Sequence, residues 1–149
     1  MKALPYRSIV VAILSIALVA YVSIANAEQY LCVADKSVGF AYDKVTKAWD
    51  NANFSTDAKY LVSESKEPKY AYQITRIGTN YRLASCKQDF NKYGYLVCPD
   101  VAIANKFYDF SFNRISSKFL LIFPYGYIDV TPDERNASPY MEIGKCSPF

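Results

Sequence analysis

The chain has 149 residues, 52% hydrophobic and 16% aromatic, with 17 Lys and Arg against 14 Asp and Glu and no histidine. That content is too apolar for disorder, and a formal charge of +3 is too small for a dedicated nucleic-acid binder, which gathers a basic excess on one face. The missing imidazole excludes Ser-His-Asp and Cys-His catalysis and histidine metal sites.

The first predicted element is a secretory signal, residues 1–27. Lys2 and Arg7 lead an apolar run from Ile9 to Ile24, and Ala25-Asn26-Ala27 supplies the small residues a signal peptidase accepts. The run is shorter than the roughly 20 residues of a spanning helix. Cleavage before Glu28 is therefore expected, with only transient membrane contact and an exported product, periplasmic or extracellular. Residues 28–149 are expected to form one small domain. Lys2 and Arg7 account for two of the three net charges, so this domain is nearly neutral.

Short strands separated by turn signals follow: Gln29 to Val33, Lys59 to Ser63, Tyr81 to Lys87, Tyr95 to Cys98, Lys118 to Phe123, Tyr125 to Val130 and Tyr140 to Gly144. Turns are expected at Lys66-Glu67-Pro68, at Asn91 to Gly94, at Pro99-Asp100 and over the polar loop Thr131 to Pro139; Val101 to Lys106 alone could form a helical turn. Two segments, FAYDKVTKAW (40–49) and FSFNRISSKF (110–119), share one pattern, and YQITRIGTNY (72–81) fits it more loosely. Aromatic alternation at the first and third positions is strand-like. Asp43 or Asn113 supplies turn chemistry, and Trp49 or Phe119 falls on the returning strand, where it can pair with the first. The pattern reads as a β-hairpin with a four- or five-residue connection. Its basic residues, Lys44, Lys47, Arg76, Arg114 and Lys118, read as solvated turn residues rather than an anion site. The fold expected is all-β: a small antiparallel barrel or closed sandwich of about 8–10 short strands built from hairpins and preceded by the signal-peptide helix.

Cys32, Cys86, Cys98 and Cys146 all follow the signal, and an even number in an exported small domain implies two disulfides. Three pairings are open to four cysteines; the expectation adopted is Cys86–Cys98, a short local loop, with Cys32–Cys146 joining the first segment to the last. No Cys-x-x-Cys occurs, so neither a metal nor a cofactor is expected.

For an enzyme, these exclusions leave a carboxylate pair, with Asp109 and Asp129 as the candidates within aromatic strands. Outward-facing strand residues are the simpler reading of both. A non-enzymatic binding module is the leading expectation. It would contact an unidentified protein or cell-envelope component through exposed aromatics: Trp49, Tyr93, Tyr95, Tyr125 and Tyr127. A purely structural envelope protein is the remaining alternative.

The Tyr30-Leu31-Cys32 opening after a signal, the stretch GFAYDKVTKAW (39–49) and the ending Ile143-Gly144-Lys145-Cys146-Ser147-Pro148 resemble a group of uncharacterised small exported proteobacterial proteins. That resemblance implies no activity. The Tyr-x-Cys start after export is also similar to that of the periplasmic inhibitors of C-type lysozyme, which are small disulfide-tied antiparallel barrels. This second likeness is one of fold and implies inhibition of a cell-wall enzyme by analogy alone.

Overall fold

The computed structural model describes residues 28–79, 82–99, 108–128 and 138–149; the predicted signal (1–27) and helical turn (101–106) lie outside these residues. Nine strands run through them: β1 (Tyr30–Asp43), β2 (Ala48–Asn53), β3 (Lys59–Glu64), β4 (Tyr72–Arg76), β5 (Arg82–Cys86), β6 (Tyr95–Cys98), β7 (Asp109–Asn113), β8 (Lys118–Phe123) and β9 (Tyr140–Pro148). The first and last predicted strands run on, to Asp43 and to Pro148. The predicted strand Tyr125 to Val130 is corrected over its described residues, 125–128: the chain leaves the sheet after Phe123, and residues 129 and 130 lie outside the described residues. Pro124 has no N–H for a ladder bond, and Gly126 then turns the backbone at φ 109°.

Eight strands follow the hydrogen-bonded order β5-β4-β3-β1-β9-β8-β7-β6, and the sheet curls into a nearly closed antiparallel barrel, as the strand spacing predicts. β2 stands off this path and pairs only with the second half of β1. Both expected disulfides are present. Cys32 and Cys146 face each other in the β1–β9 ladder. Cys86–Cys98 ties β5 to β6, the two ends of the strand order, so a covalent bond spans the seam that no ladder closes. Loop closure of this kind stabilises by about 3 kcal/mol for a short loop, and more for a long one. Two disulfides are consistent with an oxidising, exported location.

The two best copies of the repeated segment are hairpins with the same turn. Asp43 Oδ1 accepts from the N–H groups of Val45 (2.7 Å) and Thr46 (3.3 Å), and Asn113 Oδ1 accepts from those of Ile115 (2.9 Å) and Ser116 (3.0 Å). The left-handed residues are Lys47 (φ 54°) and Ser117 (φ 57°), one place later in the pattern than Gly78 (φ 86°) in the third copy. The final aromatics pair across as predicted, Tyr42 with Trp49 and Phe112 with Phe119.

Their burial nevertheless differs. Phe110 and Phe112 are buried, whereas Phe40 is 53% exposed. The cause lies upstream: the β1–β9 register shifts between Ala34 and Lys36, leaving Asp35 as an extra residue. Tyr30, Cys32 and Ala34 face inward, and after the bulge Ser37 does too. Side chains alternate with a period of two, so one extra residue moves Phe40 and Tyr42 to the outer face.

The core fills the barrel from one end. Tyr30, Tyr72, Phe90 and Phe112 pack with ring centroids 4.9 to 5.9 Å apart and close the end at which β9 finishes. A second layer lies deeper, where Phe110 stacks on Phe119 at 5.5 Å and Tyr60 meets both edge-on. Above Tyr60 polar side chains join the aromatic ones.

Candidate functional site

Strand parity fixes the polar layer. Cys146 points inward to its disulfide, so Gly144 and Glu142 on the same strand face inward too. Glu142 is only 5% exposed. Its Oε2 accepts from the Tyr60 hydroxyl and its Oε1 from Ser37 Oγ at 3.4 Å. Ser37 itself reaches the interior because of the Asp35 bulge. Two hydroxyl donors satisfy part of a buried carboxylate, which can accept about four hydrogen bonds in all. The rest of its capacity faces a cavity.

This cavity, of about 470 Å³, opens at the end of the barrel where β9 begins. Its polar lining is Ser37, Ser55, Asp57, Arg76, Ser138 and Glu142. Rings of Phe54, Tyr108, Phe123 and Tyr140 form its apolar walls, with Phe123 and Tyr140 5.5 Å apart and Tyr108 4.8 Å from Phe123. Arg76 is paired with Tyr60 in the β3–β4 ladder and shares the inward phase of Tyr72 and Ile74. It is therefore on the cavity wall, not among the solvated turn cations where the sequence reading put it. Among the described residues its guanidinium makes no ion pair. Asp57, the other carboxylate on the lining, instead accepts from Ser55 Oγ at 2.6 Å.

The electrostatics follow the geometry. Burial, reinforced by the hydrogen bond to Glu142, holds the Tyr60 phenol far above its ordinary value. Tyr140 is also raised, by burial first and then by Tyr108 and Glu142. The Ser55 hydrogen bond, with a smaller contribution from Arg76, pulls the Asp57 carboxyl below its usual range. The cavity thus presents neutral hydroxyls, a guanidinium and carboxylates against aromatic walls.

The predicted aromatic contacts divide between the two barrel ends. Trp49 stands near Tyr127, with centroids 5.7 Å apart, and Tyr125 packs on Phe123. Trp49 and Tyr127 line an outer groove of about 670 Å³ with Phe40, Lys47, Pro124 and Pro139. Tyr93 and Tyr95 are exposed at the opposite end, beside the β7–β8 turn: Tyr95 pairs with Asn113, whose Nδ2 donates to the Tyr93 carbonyl. The five residues therefore do not form one surface. Asp109 is exposed at the start of β7 and Asp129 lies outside the described residues, so neither belongs to the cavity lining described here. The sequence reading missed Glu142, although the inward phase of Cys146 was enough to place it.

Among the described residues no helix is long and apolar enough to cross a membrane, and no group of three or more His, Cys, Asp or Glu side chains is placed to hold a metal. Comparison with known protein families, with curated proteins and with solved structures finds no match for this chain.

Proposed function

We propose that this protein is an exported, non-enzymatic binding module that takes its ligand at the open mouth of the barrel. The carrying observation is the cavity beneath that mouth, in which a buried carboxylate and a guanidinium with no ion pair among the described residues share aromatic walls. Its size lies within the roughly 300–1,000 Å³ of small-molecule sites, and such barrel mouths are common places for them. The signal-like N-terminus and the paired cysteines support export. The partner is a cell-envelope component, and the Trp49–Tyr127 groove beside the mouth supplies a second contact when that component is a protein such as a cell-wall enzyme.

The test is retention. The oxidised protein is incubated with the small-molecule fraction of an envelope extract, desalted and analysed by native mass spectrometry, alongside a Ser55→Trp variant that fills the rim. A bound mass in the wild type that the variant loses is the expected result. No retained mass, together with unchanged melting in extract, would remove the mouth as a binding site. Inhibition across a lysozyme panel, sensitive to Trp49→Ala, would locate the activity in the outer groove instead.

A carboxylate-dependent hydrolase is the second reading, because Asp57 and Glu142 line the same cavity. Turnover of peptidoglycan or simple glycosides that disappears in Glu142→Gln would favour it over binding alone.

A further inference from the structure

Arg76 and Glu142 carry opposite charges into one cavity, yet they do not pair with each other. Arg76 projects from β4 and Glu142 from β9, with β3 and β1 between them in the strand order. Glu142 is held by Tyr60 and Ser37, donors that leave carboxylate capacity turned toward the cavity. Among the described residues Arg76 has no ion pair, and Asp57, the alternative partner on the lining, is engaged by Ser55. A guanidinium presents five N–H donors in a fork that matches a carboxylate. The same cavity is lined by Phe54, Tyr108, Phe123 and Tyr140, and aromatic rings pack against an apolar body and attract an ammonium group.

Resting on the reading of the mouth as a binding site, we infer that its ligand is a small zwitterion, an amino acid or short peptide, with its carboxylate on Arg76, its ammonium on Glu142 and its side chain against the four rings. A ligand of one charge leaves either the Arg76 guanidinium or the Glu142 carboxylate without a partner, whereas a zwitterion meets both; Asp57, bonded to Ser55, adds a further negative charge on the lining, in favour of the ligand's ammonium. The charges come from different walls, so spacing distinguishes a free amino acid from a peptide, whose termini lie further apart. At about 470 Å³ the cavity has room for either.

Isothermal titration of the oxidised protein with L-phenylalanine, the dipeptide Phe-Phe, 2-phenylethylamine and 3-phenylpropionate tests this. One zwitterion is expected to bind at least about tenfold more tightly than both single-charge analogues, since each analogue gives up one charge-assisted hydrogen-bonding partner. Arg76→Gln is expected to abolish the advantage over the amine, and Glu142→Gln the advantage over the carboxylate. Both substitutions keep hydrogen-bonding capacity, and thermal melting of each variant confirms folding. If Glu142→Gln does not fold, the Arg76→Gln arm decides alone. Equal affinity for all four probes, or no heat with either zwitterion at millimolar concentration, overturns the zwitterion assignment. If the extract experiment still shows a retained mass that Ser55→Trp loses, the mouth remains a binding site and only its ligand class is wrong; if no mass is retained, both readings fall.

Discussion

Single residues set the turns and the ionisation of this protein. Asn113 anchors the β7–β8 turn through two backbone N–H groups, so Asn113→Ala should lower stability by about 1 kcal/mol, measured by urea denaturation. An unchanged midpoint would contradict this role. Asp43 has the equivalent role at the β1–β2 turn, and the N–H groups of Val45 and Thr46 hold its carboxyl below the ordinary value. The buried phenols give a second prediction. Burial, then Glu28, pushes Tyr30 up to about 12; burial, then Asp89 and other charges, does the same for Tyr72. Their ordinary value is 10.0. Below it both folded and unfolded chains hold these protons, and above it the unfolded chain releases them first. The contribution of these phenols to stability should therefore be constant up to about pH 10 and fall as pH rises toward 12, followed by tyrosinate absorbance and circular dichroism together. Smooth ionisation of every tyrosine near pH 10 without unfolding would contradict the buried placement.

At the level of elements, alternation and turn chemistry made most strands legible, because both depend on neighbours in sequence. The interval Lys118–Phe123 was read correctly to the residue. The bulge was not legible. Asp35 lies in a stretch with no glycine or proline to mark an irregularity, and only pairing with β9 reveals it. Its effect is large, since it separates two hairpins of one sequence pattern into a core pair and an outer pair. Deleting Asp35 should return Phe40 and Tyr42 to the inward phase. The Trp49–Tyr127 contact is then lost, which changes the emission of the single tryptophan and lowers the melting temperature. Unchanged emission and melting would show that the bulge does not set the facing of the hairpin. The cavity was not legible in the same way, since its lining is brought together by strands distant in sequence. None of the five sequence-derived contact residues lines the cavity, and Arg76 was misread because its inward phase comes from its position opposite Tyr60.

The molecule as a whole is filled asymmetrically. Aromatic layers close one end, and at the other Tyr60 turns its ring to the core and its hydroxyl to Glu142. Filling both ends with apolar side chains would avoid the cost of burying a carboxylate, yet the polar layer is here, beneath an opening. That asymmetry makes the mouth the candidate site, and the Cys32–Cys146 disulfide between the adjacent strands β1 and β9, which carry Ser37 and Glu142, holds them in one register. The most direct measurement is a backbone amide chemical-shift map of the oxidised protein, recorded with and without the small-molecule fraction of an envelope extract. Binding at the mouth predicts perturbations that converge on Ser37, Arg76, Tyr140 and Glu142. Perturbations confined to Phe40, Trp49 and Tyr127, or none at all, would contradict it.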